Sequence, residues 1–328
     1  MAARAYVLLA LTAVLTGGCS PAPQAVDHYA NAAVLMEDFE VEAALAELDR
    51  AIAMDDELVL AYSAKGDILR LEGRYDEAAG VYEKAVALDP MSFRDSFSLG
   101  LVYHTLERLS DAVRAYNRAC VLQPKHYESN FNLSSCYLQL NQLDDAEKFC
   151  RRAMELDDSR AETKVNMGVI HDLRKNYDEA IQSYKRAVEQ DASQPQTFVN
   201  LGGVYLKQDR YDEAEKNLRH AVKLDPTMAI ARERLGLCLY RQRKYEGALA
   251  EYAQALRLNP SSAPAHLGTG VTQMAIYLQD NSRSDLKAQA IEHWQRSLQI
   301  DPDQPNLRTI LQRYTNPDAT GAPLSSEG

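Results

Sequence analysis

Residues 199–226 read VNLGGVYLKQDRYDEAEKNLRHAVKLDP, and residues 165–192 read VNMGVIHDLRKNYDEAIQSYKRAVEQDA. The two segments align without a gap at a shift of 34 residues. The same shift recovers a glycine column, Gly66, Gly100, Gly168, Gly202, Gly236 and Gly270, with Ser134 as its exception. Twelve residues after each of these positions lies alanine: Ala78, Ala112, Ala146, Ala180, Ala214 and Ala248, joined by Ala44 in a first unit and, after eight extra residues, Ala290 in a last. A second alanine column follows seven residues later, Ala51, Ala85, Ala119, Ala153, Ala187, Ala221 and Ala255, closed by Ser297. Eight units are present. Between the two alanines of each unit stands a larger or softer residue: Leu48, Tyr82, Tyr116, Cys150, Tyr184, Leu218, Tyr252 or Trp294.

A glycine in a helix interior costs about 1 kcal/mol relative to alanine, so a recurring one needs a packing reason. Two antiparallel helices approach closely only where the residues at their crossing are small. The cost of Gly202 is therefore expected to be offset by contact with the small residues Ala214 and Ala221 of the second helix. Gly203 falls outside the column, and the period supplies no reason for it.

A 34-residue period with small residues at three phases resembles the tetratricopeptide repeat, from Ala25 to Pro302. The resemblance implies an all-α fold, a right-handed superhelical solenoid of about eight helix-turn-helix units. Units of this kind bury little alone and fold by stacking on their neighbours, so the array ends need polar caps. Residues 303–314, containing NLRTILQRY, fit a C-terminal capping helix, and residues 315–328 read as a solvated tail. Eight residues inserted in the last unit, near 278–287, break the period and read as a solvated loop.

The acid pairs Asp76-Glu77, Asp144-Asp145, Asp178-Glu179 and Asp212-Glu213 resemble catalytic carboxylates only out of context. Each opens a second helix, where negative charge complements the helix dipole. Asp89-Pro90, Gln123-Pro124, Asp225-Pro226, Asn259-Pro260 and Asp301-Pro302 end units, because proline cannot continue a helix. The formal charge of −11 argues against nonspecific binding to nucleic acid or anionic lipid, which needs a Lys/Arg excess. The histidines show no HExxH spacing, and neither a phosphate loop nor a nucleophile elbow is present. No catalytic, cofactor or metal residue is expected. Cys120, Cys136, Cys150 and Cys238 occupy helix-core phases without ligand spacing; buried free thiols are the expectation, with a disulfide left open.

The N-terminus differs in kind. Arg4 and the apolar run AYVLLALTAVL read as a secretory signal, residues 1–18, too short to span a bilayer. The closing LTGGCS resembles the lipobox of bacterial lipoprotein signal peptides, although Thr16 stands where leucine is commoner. That resemblance implies that Cys19 is the acylated first residue of the mature chain and that residues 19–24 are anchor and short linker. Ser20 after the cysteine resembles the outer-membrane sorting class, with the array facing the periplasm.

Repeats of this family line a concave groove with the first helix of each pair. Two positions before the glycine column lie Asn132, Asn166 and Asn200, one per unit. A column of amides can hydrogen-bond the backbone of an extended peptide without reading its side chains. It resembles the asparagine ladder of O-linked N-acetylglucosamine transferases, and equally a common feature of the repeat itself. Phe97, Phe131, Val165 and Val199, one residue earlier, are candidates for an apolar groove floor or for inter-helix packing. Phe97, Glu162 and Ser135 stand at phases where a chaperone-tail carboxylate clamp needs Lys, Asn or Arg, so no such clamp is expected.

The implied function is a non-catalytic, lipid-anchored scaffold that gathers protein partners in its groove. Among families it resembles lipoproteins that assist type IV pilus secretin assembly. Adaptors of cell-wall synthesis or proteolysis and a self-associating oligomer are the alternatives. A glycosyltransferase subunit is disfavoured, because a catalytic domain does not fit in the residues after Pro302.

Overall fold

The computed structural model describes residues 22–315, so the signal segment, Cys19 and residues 316–328 lie outside the described residues. Among the described residues are seventeen helices and no strand. The chain divides into two compact units at Asp158 and Ser159.

The N-terminal unit holds α1 (Pro23–Glu37), α2 (Val41–Met54), α3 (Val59–Leu71), α4 (Tyr75–Leu88), α5 (Phe93–Thr105), α6 (Leu109–Leu122), α7 (Tyr127–Gln139) and α8 (Leu143–Leu156). The C-terminal unit holds α9 (Ala161–Leu173), α10 (Tyr177–Gln190), α11 (Pro195–Lys207), α12 (Tyr211–Leu224), α13 (Ala229–Arg241), α14 (Tyr245–Leu258), α15 (Ala263–Gln279), α16 (Ser284–Ile300) and α17 (Pro305–Thr315). Within each unit, consecutive helices form antiparallel pairs, and each pair stacks on the next.

Burial follows the repeat columns. Ala44, Ala78, Ala112, Ala146, Ala180, Ala214, Ala248 and Ala290 are all fully buried, as are Tyr82, Tyr116 and Leu218 between the alanines. The glycines answer to the large residue, which corrects the expectation that Gly202 makes room for the alanines. A Cβ on Gly202 would lie 2.7 Å from Leu218 Cγ, against 3.4 Å from the Ala214 carbonyl oxygen. On Gly66, Gly100, Gly168, Gly236 and Gly270 it would lie 2.6–2.9 Å from the ring of Tyr82, Tyr116, Tyr184, Tyr252 or Trp294. Where the column carries a side chain, the residue sixteen positions on is not aromatic: Ala32 pairs with Leu48 and Ser134 with Cys150. Ser134 Oγ donates to the Ala146 carbonyl at 2.8 Å.

All four described cysteines are buried and outside any disulfide, and burial pushes three of the thiols up, to about 11 for Cys120 and Cys238 and about 12 for Cys136. The helix starts carry the expected acids, several clasped by the arginine three residues before. Arg74 Nε meets Glu77 at 2.7 Å, and Arg210 Nε meets Glu213 at 2.9 Å.

The turn inside each pair holds a feature that composition does not announce. The residue seven places after the glycine column has positive φ: Gly73 at 75°, but also Glu107 at 57°, Asn141 at 56°, Lys175 at 63°, Asp209 at 57° and Arg243 at 61°. This left-handed residue lets the next N–H close on the helix end, as Asn176 N does on the His171 carbonyl at 2.9 Å. The conformation costs a residue with a Cβ about 1–2 kcal/mol. Lys175→Gly is therefore expected to stabilise the C-terminal unit by about 1 kcal/mol after the entropy of the unfolded glycine is subtracted. Equilibrium urea unfolding checks this; an unchanged or lower midpoint would mean that the turn carries no strain.

The inserted residues of the last repeat do not form the expected loop. The first helices elsewhere in the C-terminal unit have 13 residues, and α15 has 17. The second helices have 14, and α16 has 17. Seven of the eight inserted residues thus lengthen the two helices by about a turn each, leaving a four-residue connection at 280–283. The extended pair supports α17: Leu307 is buried in a cluster with Met274, Ala290 and Trp294, and the Tyr314 ring lies 5.8 Å from Trp294.

Candidate functional site

In the C-terminal unit, three first helices of successive pairs lie beside one another, α9, α11 and α13. Positions three and seven residues apart share a helix face. On α11 such a row runs through Asn200, Gly203 and Lys207, on α13 through Arg234, Leu237 and Arg241, and on α9 through Asn166, Val169 and Leu173. All but Asn166 line a groove of about 640 Å³, together with Asp172, Tyr184, Leu206 and Asp209.

The groove mixes apolar and charged surface. Leu173 is 50% exposed and Leu237 39%, high values for leucines, and both face the groove space. Lys207 Nζ reaches both oxygens of Asp172, at 2.7 and 2.8 Å, bridging α11 to α9. Asp209 accepts the Tyr211 hydroxyl at 2.5 Å, which pushes that phenol up. Burial pushes the Tyr184 phenol up as well, so at neutral pH it meets the groove as a neutral hydroxyl. Arg234 Nη1 donates to the Val199 carbonyl at 2.9 Å, joining α13 to α11.

Gly203, left without a reason by the period, acquires one here. A Cβ at this position would lie 2.7 Å from Arg234 Nη1 and 3.4 Å from Cζ. The absent side chain lets the guanidinium lie against α11 in the middle of the groove. Arg234 itself stands two residues before Gly236, in the same column as the three asparagines. The 34-residue column that carries the amides therefore carries this arginine as well.

The expected site residues separate. Asn200 borders the groove, with its side-chain oxygen taking a hydrogen bond from Gln196 Nε2 at 2.9 Å. Asn166 occupies the equivalent half-buried position on α9. Asn132 belongs to α7 of the N-terminal unit, beside the Tyr116 hydroxyl. Of the apolar candidates, Val199 is fully buried in a cluster with Phe198, Ala221 and Ala231, so it is inter-helix packing and not groove floor. Val165 is half-buried against the core of the C-terminal unit. Phe97 lies among Phe93, Tyr116 and His126, with ring centroids 5.0–5.9 Å apart, and Phe131 stacks on Tyr127 at 6.0 Å. The apolar surface that does face the groove comes from Val169, Leu173, Leu206 and Leu237 instead.

Among the described residues no group of three His, Cys, Asp or Glu side chains is gathered as for a metal ion, and no helix is long and apolar enough to cross a membrane.

The profile of the family described as the cilia and flagella-associated protein 70 C-terminal domain, a TPR domain, matches residues 24–274. No curated protein matches the chain. Among solved structures, the APC/C hetero-tetramer Cut9-Hcn1 superposes with a TM-score of 0.63 at 17% identity, over 95% of this chain and 59% of that one. The pilF protein of Pseudomonas aeruginosa superposes with a TM-score of 0.57 at 19% identity, over 66% of this chain and 96% of that one. The C-terminal part of a TPR repeat-containing protein from Cytophaga hutchinsonii gives 0.57 at 18%, over 75% and 98%. These likenesses show the fold.

Proposed function

The chain belongs to the tetratricopeptide-repeat family described as the cilia and flagella-associated protein 70 C-terminal domain, and from that membership we propose that it is a non-catalytic scaffold that holds extended segments of partner proteins in the groove of its first helices. The observation that carries the reading is the surface over α9, α11 and α13. It combines exposed leucines, an amide and two arginines in one recess, a mixture of apolar and hydrogen-bonding surface suited to an extended peptide. Asn166 and Asn200 are the proposed backbone-binding amides of this unit, and Asn132 is their proposed counterpart in the N-terminal unit.

The cellular setting is proposed from the N-terminal sequence. The lipobox-like LTGGCS supports acylation at Cys19, which would tether the array to the periplasmic face of a bacterial outer membrane, there to assist assembly of a pilus secretin. Cell-wall enzymes or proteases are the alternative clients, and a second copy of the chain is the remaining one.

One experiment addresses both parts. A photoreactive residue is placed at Leu173 in the groove, with a control at the exposed Glu179, each in the native chain and in Cys19→Ala. The expected result is partner capture from Leu173 and not from Glu179, and loss of the Cys19→Ala protein from the membrane fraction. Equal capture from both positions would remove the groove reading, and a variant that still sediments with membranes would remove the lipid anchor. A secretin among the captured proteins supports the pilus setting, cell-wall enzymes replace it, and self-crosslinks alone point to an oligomer.

A further inference from the structure

His266 and His293 meet across the last helix pair, with Nδ1 of one ring 2.9 Å from Nδ1 of the other. His266 stands in the first turn of α15 and His293 past the middle of α16, both half-buried. His266 Nε2 lies 3.2 Å from the Pro260 carbonyl. A carbonyl only accepts, so Nε2 carries the hydrogen and Nδ1 of the neutral ring keeps a bare lone pair. His293 Nδ1 then supplies the hydrogen between the two rings.

One repeat earlier the same two phases are filled differently. Arg232 stands at the phase of His266, and Glu251 at the phase of His293 once the eight inserted residues are counted. Arg232 Nη1 meets Glu251 at 3.0 Å, while its Nε donates to the Pro226 carbonyl at 3.1 Å. An ion pair therefore ties α13 to α14. In the last repeat a single shared hydrogen between two imidazoles stands in its place.

Two imidazole nitrogens at this distance have a second chemistry. Nitrogen ligands lie about 2.0–2.1 Å from a divalent transition ion, so tetrahedral positions are about 3.3 Å apart and the cis positions of a square-planar or octahedral ion about 2.9 Å. The observed separation is the cis value. A metal-ligating histidine gives its other ring N–H to a carbonyl or carboxylate, as His266 does to Pro260. The recess over the pair, about 560 Å³, has room for the waters that complete the ion's shell. Glu292 lines it and adds negative charge, and the Arg296 guanidinium is turned to the Gln299 side-chain oxygen at 3.1 Å.

We propose that His266 and His293 form a two-nitrogen clamp for a divalent nickel or copper ion, which closes α15 on α16 where the preceding repeat uses an ion pair. Binding moves the His293 hydrogen from Nδ1 to Nε2, so both rings offer Nδ1 and no proton leaves the protein. The clamp shares no residue with the groove over α9, α11 and α13, and it stands whether or not that groove takes a peptide.

The test titrates nickel chloride into the full chain by calorimetry, with hydrogen exchange measured in the presence and absence of the ion. One ion per chain is expected, with α15 and α16 gaining protection together. His266→Asn and His293→Asn should each weaken binding about tenfold or more, whereas His220→Asn on α12 should leave it unchanged. Asparagine suits the His266 phase, since Asn130 holds it four repeats earlier and donates to the Pro124 carbonyl at 3.2 Å, so the loss reports the ligand and not the fold. His266→Arg combined with His293→Glu rebuilds the ion pair of the preceding repeat. That paired variant should fold without metal and show no response to nickel. No binding by the native chain, or equal binding by the native chain and both single variants, would overturn the clamp. So would nickel-dependent protection that persists in the paired variant.

Discussion

Gly100→Val is expected to destabilise the N-terminal unit by about 3 kcal/mol, at the upper end for an overpacked core. The Cβ alone would lie 2.6 Å from Cδ1 and Cε1 of Tyr116. That ring has no exposure through which to retreat, and the rings of Phe97 and His104 lie 5.8 and 6.4 Å from it. Since α5 and α6 sit between neighbouring pairs, loss of their crossing removes an interface on each side, and an array held by nearest-neighbour contacts has no other route to its stability. The chain also suggests its own rescue. Ser134 is tolerated in the glycine column of the next repeat, where Cys150 stands in place of a tyrosine. Gly100→Ala and Tyr116→Cys should therefore be coupled favourably, by about 1–2 kcal/mol in a double-mutant cycle. Urea unfolding of the four proteins measures this, and strict additivity would show that the glycine does not serve the ring opposite it.

Trp294→Ala should cost about 3–5 kcal/mol, the usual range for deleting a large buried aromatic. The expected consequence is local. Trp294 is 2% exposed and forms the floor on which α17 rests through Leu307 and Tyr314. Position in the array decides how far the damage spreads, because an end repeat has one neighbour where an interior repeat has two. Hydrogen exchange should show α15, α16 and α17 losing protection together while α9 to α14 keep theirs. A single transition that takes the whole C-terminal unit at once would contradict this, as would unchanged protection of α17.

The two variants test the part of the fold that was legible beforehand. The period placed every helix pair, because each unit repeats the same solution to the same packing problem and the columns of small residues must recur with it. A column of alanines and a column of glycines both look like close approach, but only geometry shows that Leu218, and not Ala214 or Ala221, occupies the space the glycine vacates.

The candidate site was less legible. Asn200 could be named from its column, since the ladder is a feature of single positions repeated along the chain. Val199 could not be assigned correctly, because one helical step separates a groove-facing side chain from a fully buried one. The inserted residues near 278–287 are a similar case. Their polar composition suits a loop, yet packing of the lengthened α15 against α16 gave them helical partners.

The sequence by itself determined the helix pairs and their order, because these depend on contacts at fixed short separations that recur every 34 residues. Tertiary structure alone decided what the groove presents. Arg234 meets the Val199 carbonyl across 35 residues, and Lys207 meets Asp172 across the same separation, so each contact joins different repeats. The Arg234 contact has no periodic signature, since it depends on two residues that depart from the repeat at once: a glycine at 203 where the neighbouring repeats carry Val169 and Leu237, and an arginine where the three preceding repeats carry asparagine.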